Sequence, residues 1–331
     1  MTDKPLFVIG SSGFGGSSFT KYALQQGFSV HGFSRSLPND DKFLPYTWID
    51  EVSRFEFSQL DLNKNLDDFF MAVRKEKPAL IFNFASQSMV GESWKTPEHW
   101  MQTNVVSTTS LIQGLANFDF IDKYIHFTTP EVYGSTEGWI KESFDFYPST
   151  PYALSRASGD WIVKMWHDTF GFPAIFTRAA NIYGEGQQLY RIIPKTILFA
   201  LTNKKIPLHG GGKSSRAFAH MDDVSAALMS IIEVGQSGDS FHISPHESVT
   251  ILELVQKIGA KIGVEDEKLF SIAGDRIGKD SLYLLNSDKL MKQTGWSPKV
   301  SLDEGLDRCI GWVQQNIDSL RSATIDYVHK P

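Results

Sequence analysis

The sequence predicts an α/β fold, a doubly wound parallel sheet followed by a smaller C-terminal α/β region, and three features of the chain carry that reading. Short β-rich runs alternate with stretches of helical spacing through the first half. A glycine-rich turn follows the first run directly. After Arg178 the rhythm weakens, and Gly184, Gly186, Gly210, Gly211 and Gly212 mark irregular loops.

Taken in order, the runs Leu6 to Ile9, Phe28 to Phe33, Arg54 to Leu60, Ala79 to Phe84, Lys123 to Phe127 and Ala174 to Thr177 read as strands. Between them, Ser17 to Gln26 closes at Gly27 and Asp67 to Glu76 closes before Lys77-Pro78, both stop signals of helices. Phe218 to Val234 reads as a strand end and a helix that rejoin the first unit, while Ile251 to Ile262, Ser287 to Thr294 and Leu302 to Ile317 have helical spacing. The expected division is residues 1–178 plus about 218–243 for a dinucleotide-binding unit, and 179–217 plus about 244–331 for a substrate-binding unit. The cleft between them is the expected ligand position.

A chain of 331 residues with 41% hydrophobic residues can bury a large core. Its net charge of −6 is mild and its cations are scattered, so no nucleic-acid or membrane-surface partner is expected. The single cysteine, Cys309, forms neither an intramolecular disulfide nor a cysteine-based zinc site, and no metal site is assigned. With no secretory leader and no apolar run near the roughly 20 residues of a membrane helix, the expected compartment is the cytoplasm.

Gly10-Ser11-Ser12-Gly13-Phe14-Gly15-Gly16 lies between the first strand and the first helix. There a tight glycine turn lets backbone approach a pyrophosphate, whose charge meets the helix N-terminus. The second strand ends in Ser34-Arg35-Ser36, with no carboxylate before Asp40. An arginine at that place pairs with a 2′-phosphate, which favours NADP over NAD; a solvated surface arginine is the alternative. Tyr152 and Arg156, four residues apart at the start of a helix after Pro151, share one face, and a fixed cation there favours the phenolate.

These segments together resemble the extended short-chain dehydrogenase/reductase family, and in particular its nucleotide-sugar 4,6-dehydratases, such as the dTDP-glucose and GDP-mannose enzymes. The spacing Gly10-x-x-Gly13-x-x-Gly16 is similar to that family's Rossmann fingerprint. The resemblance implies that Gly10, Ser12, Gly13, Phe14, Gly15 and Gly16 hold the cofactor together with Arg35, Asp61, Leu62, Phe84, Ala85, Tyr152 and Arg156. Thr128-Thr129-Pro130-Glu131 resembles the dehydratase segment in which a threonine bonds the sugar O4 and an acid removes the C5 proton, which gives Thr129 and Glu131 those roles. Two departures stand out. Pro130 occupies a position at which the related enzymes place an aspartate or a serine, and Arg156 replaces the usual lysine of Tyr-x-x-x-Lys.

Further matches imply substrate contacts: Ser88 in Asn83-Phe84-Ala85-Ser86-Gln87-Ser88, Asn104 in Thr103-Asn104-Val105, and Asn181 in Arg178-Ala179-Ala180-Asn181-Ile182-Tyr183-Gly184. Arg191, Lys195, Arg216 and Arg276 are the expected cations for a diphosphate, and His209 stands where the family stacks a ring on the nucleobase. The implied activity is a redox-neutral dehydration of a nucleotide-sugar. A 4-epimerase, a decarboxylase and a nucleotide-binding regulatory protein of the same fold remain alternatives at this stage. Helices over residues 98–117 and 151–169 resemble the family's dimer interface, so a homodimer is expected.

Overall fold

The computed structural model describes residues 4–38, 40–274 and 282–331. Leu6–Ile9 (β1), Val30–Ser34 (β2), Phe55–Gln59 (β3), Leu80–Asn83 (β4), Lys123–Thr128 (β5), Ala174–Ala179 (β6) and Ser240–Ile243 (β7) form one sheet in the order β7-β6-β5-β4-β1-β2-β3. Every pairing in it is parallel. β1 is buried along its whole length, which is why it reads as an unbroken apolar run instead of an alternating one.

Alternate residues of β1 feed opposite faces of the sheet. Leu6 and Val8 pack with Phe19 and Leu24 of helix Phe14–Gln25 (α1) on one side. Phe7 and Ile9 pack with Phe69 and Val73 of helix Leu66–Glu76 (α2) on the other. β1 pairs with β2 on one edge and β4 on the other, so the winding reverses there and a crevice opens beyond the strand ends.

The expected helix over residues 98–117 is in fact interrupted. Pro97–Met101 (α3) passes through a π-helical segment, Gln102–Ser107, into Thr108–Leu115 (α4). Helix Pro151–Phe170 (α5) is delimited as its sequence demands: Thr150 caps it, Pro151 opens it, and Gly171 leaves it with φ +71°.

Helix Met221–Val234 (α6) packs against α1 and leads to β7, although the short strand before it, Phe218–His220, pairs with Asn181–Tyr183 and not with the large sheet. A four-stranded sheet joins Val249–Thr250, Ser215–Arg216, Leu282–Leu285 and Trp139–Ile140. Its last strand comes from the first half of the chain, so residues 139–140 reach across to the later residues. A further core, with Ile193, Leu254, Ile258, Leu306 and Val313, lies among the helices of that later region.

Candidate functional site

At the switch point the glycine turn is built tightly. Gly10 has φ +88°, and a Cβ there would come within 2.8 Å of the Ala85 backbone nitrogen. A Cβ on Gly16 would meet the Gly10 carbonyl. The N-cap of α1 is Gly13, which supplies no side-chain acceptor, so the first amides of α1 remain available to an anion. A dinucleotide pyrophosphate fits this cradle.

Two cavities meet here. The first, of about 480 Å³, is lined by Gly10, Ser12, Gly13, Arg35, Asp61, Leu62, Phe84 and Ala85, which brings together most of the residues expected to hold a cofactor. The second, of about 540 Å³, is lined by Phe14, Gly15, Gly16, Ser88, Thr129, Glu131, Tyr152, Arg156, Asn181 and Arg191. Gly10, Gly13, Phe84 and Ser88 border both.

In the second cavity Tyr152 is buried, and burial raises its hydroxyl above the ordinary tyrosine value. The Arg156 guanidinium pulls the other way, Glu131 reinforces the rise, and a hydrogen bond with Thr129 opposes it. Arg156 also donates to the Phe127 carbonyl at 2.5 Å, which fastens α5 to the end of β5. The Thr129 hydroxyl accepts from the Glu131 amide at 3.3 Å and so caps the short 3₁₀ turn Pro130–Tyr133. Pro130 is a good first residue for that turn, since its missing N–H costs nothing there.

Asn104 is buried beside the site without lining either cavity. Its side chain accepts from Gln87 N at 2.9 Å, donates to Gln87 O at 3.0 Å, and donates to Ser155 Oγ at 2.9 Å. It therefore braces the loop after β4 against α5, as a buried amide whose bonds are satisfied within the chain. The π-helical segment around it packs closely on α5, where a Cβ on Gly159 would approach the Asn104 backbone oxygen to 2.6 Å.

Other expected residues are dispersed. Arg191 donates to Ser88 Oγ at 3.4 Å at the cavity wall. Lys195 lines neither cavity and pairs at 3.4 Å with Asp326, which borders the first. His209, at the end of strand Ile206–His209, bonds the Gly274 carbonyl at 2.9 Å and lines neither cavity. Arg216 is buried with its guanidinium 4.2 Å from the Tyr283 ring centre, behind the cavity wall. Arg276 lies outside the described residues. Arg35 donates through Nη1 to the main-chain oxygens of Lys330 and Pro331 at 2.9 and 2.6 Å, so that nitrogen is engaged within the chain.

Tyr283 was not expected. Its hydroxyl donates toward Asn181 Oδ1 at 2.9 Å and lies 3.4 Å from Glu131 Oε1, and burial keeps it protonated. It joins the site because strand Leu282–Leu285 pairs with residues 215–216 on one side and 139–140 on the other, and nothing in the local sequence signals that. Among the described residues no group of three or more His, Cys, Asp or Glu side chains could hold a metal ion, and no helix is long and apolar enough to cross a membrane.

Residues 7–309 match the model of the family described as GDP-mannose 4,6 dehydratase. The dTDP-glucose 4,6-dehydratase of Neisseria gonorrhoeae is 29% identical, with 95% of this chain and 96% of that protein covered. The dTDP-glucose 4,6-dehydratase 1 of Escherichia coli K12 is 27% identical, with 96% and 95% covered. Among solved structures, the dTDP-glucose 4,6-dehydratase DesIV of Streptomyces venezuelae, with NAD and TYD bound, superposes with a TM-score of 0.88 at 27% identity, covering 95% of this chain and 98% of that one. The UDP-glucuronic acid 4-epimerase of Bacillus cereus reaches a TM-score of 0.86 at 23% identity, which is a likeness of fold.

Proposed function

The chain belongs to the GDP-mannose 4,6 dehydratase family and is a nicotinamide-dependent nucleotide-sugar 4,6-dehydratase, and we propose that it acts through Tyr152, Thr129 and Glu131 on a nucleoside diphosphate hexose with NAD as cofactor. The observation that carries this reading is the convergence of those three side chains on one cavity that opens onto the glycine cradle.

Held by the Gly10–Gly16 turn and the N-terminus of α1, a nicotinamide dinucleotide would supply the hydride chemistry of oxidation at C4 and reduction at C6 of the sugar. What remains for the chain is proton transfer and positioning. Tyr152 takes the O4 proton, with Arg156 stabilising the phenolate and Thr129 holding O4. Once C4 is a ketone, the C5 proton is acidic, and Glu131 removes it as the C6 hydroxyl departs as water. Pro130 has no proton to give, so Glu131 returns the proton to the leaving oxygen, directly or through a water or Thr128. Tyr283 acts as a positioning residue that holds Glu131 and Asn181 in place. Arg191 is the cation that faces the diphosphate.

NAD is proposed over NADP because Arg35, the residue that favoured a 2′-phosphate, already donates to Lys330 and Pro331, and because the solved relative DesIV carries NAD. The dTDP-glucose relatives make dTDP-glucose the first substrate to try. A homodimer is also inferred. Leu154, Trp161 and Met165 lie along one face of α5 at 47, 48 and 53% exposure, with Val106, 51% exposed, on the π-helical segment packed beside it.

The test is product mass. With NAD and a panel of nucleoside diphosphate hexoses, the protein is expected to give a product lighter by one water; loss of carbon dioxide or an isomer of equal mass would instead mark a decarboxylase or an epimerase. Glu131→Gln is expected to lower dehydration by about 10²-fold or more while the bound cofactor still becomes reduced. Dehydration at full rate in that variant would overturn the assignment of the C5 base.

A further inference from the structure

Residues 323–330 run along the protein surface outside any helix or strand with a strict alternation: Ala323, Ile325, Tyr327 and His329 are half-buried, and the residues between them are exposed. This ribbon crosses from one unit to the other. On the substrate side, Ile325 packs against the later core, Asp326 pairs with Lys195 at 3.4 Å, and Tyr327 meets Tyr190 edge-on at 5.3 Å. On the cofactor side, the His329 ring stacks on His99 and Trp100 at 5.0 and 4.9 Å, and its Nε2 lies 2.8 Å from His99 Nδ1. Gln87 donates to the Lys330 carbonyl at 2.6 Å, and Arg35 donates to the carbonyls of Lys330 and Pro331.

The ribbon covers the first cavity without filling it, for about 480 Å³ remains beneath, lined in part by Asp326, Tyr327, Val328 and Lys330. We propose that residues 324–331 are a strap that retains NAD in the cleft and, by occupying Arg35, sets the preference for NAD over NADP. The proposal rests on the reading of NAD as cofactor. A 2′-hydroxyl leaves the Arg35 contacts intact, whereas a 2′-phosphate competes for the guanidinium with two main-chain oxygens already held by Nη1. Retention suits the chemistry, since a hydride that leaves and returns within one turnover needs no exchange of cofactor. The strap is fastened on His99, Trp100 and Lys195, which line neither cavity, and on Arg35, Gln87 and Tyr190 at the cavity wall.

The experiment uses the full chain carrying Tyr327→Ser and His329→Ser, with folding checked by circular dichroism. NAD dissociation is followed by stopped flow, and affinities for NAD and NADP are measured by calorimetry on protein stripped of cofactor. At least a ten-fold faster release of NAD, together with at least a ten-fold rise in relative affinity for NADP, is the expected result. An unchanged release rate, or faster release with an unchanged preference, would overturn the proposal. If the unaltered protein binds NADP more tightly than NAD, it is the reading of the cofactor that fails, and the release of whichever dinucleotide binds still tests retention.

Discussion

Arg156 places a buried cation one helical turn from Tyr152, at a position where the related enzymes use lysine. Burial drives the Tyr152 hydroxyl up and Arg156 draws it down, so removing the charge must raise that pKa further. Since the base works only when deprotonated, the rising limb of kcat/KM against pH is expected to move to higher pH in Arg156→Gln. The rate at neutral pH should fall by about 10²-fold. Arg156→Lys keeps the charge and should leave the limb near its original place, so an unmoved limb in the glutamine variant would show that the cation does not tune Tyr152. The residues of this pair, like Gly10 and Gly16, were legible because their chemistry is local: fixed spacing on a turn or on one helix face. Tyr283 was not, because 152 positions separate it from Glu131 and the pairing of residues 282–285 with 215–216 and 139–140 brings them together. Lys195 and His209 show the converse: matching segments located them, but their orientation depends on Asp326 and Gly274 far along the chain.

Elements set how precisely those side chains are held, and α5 is the clearest case. Thr150, Pro151 and Gly171 are cap, first residue and exit of that helix, so its bounds could be read almost to the residue from the sequence. The π-helical segment Gln102–Ser107 could not, since its apolar spacing is that of an ordinary helix and its cause is the packing of Asn104 against Gln87 and Ser155. Thr150 Oγ1 accepts from the Ala153 amide at 3.1 Å, and Tyr152 stands in the same first turn. Thr150→Ala should therefore destabilise the protein by about 1 kcal/mol in chemical denaturation and also lower kcat, because fraying that turn displaces the base. Stability reduced with kcat unchanged would mean that Tyr152 is held by tertiary packing alone.

The whole molecule is tied together beneath the site by buried polar groups that bridge four elements. Asp160 of α5 pairs with Arg178 of β6 at 2.7 Å and lies 3.2 Å from His126 of β5, while His242 of β7 meets the Tyr133 hydroxyl at 2.9 Å. Burial, with Arg178 adding to it, lowers His242 from 6.5 to about 3, and burial is also the main cause that lowers His126. Both imidazoles are therefore neutral in the folded protein at neutral pH, whereas in the unfolded chain each takes up a proton near pH 6.5. The sign follows directly: below about pH 6.5 the unfolded state binds more protons, and stability falls with pH by about 1.4 kcal/mol per unit for each such group until the folded pKa is reached. Asp160, whose pKa is lowered, adds its own loss only in more acid solution, as the pH drops through its folded value. Unfolding free energies from urea titrations should thus decline by about 2 kcal/mol or more between pH 7 and pH 5, before the carboxylates titrate, with His242 alone supplying about 2 kcal/mol. His242→Gln, which retains a polar group for Tyr133 but cannot bind a proton, should lose less over the same interval, and a flat profile in the unaltered protein would mean that these histidines are not held neutral by the fold.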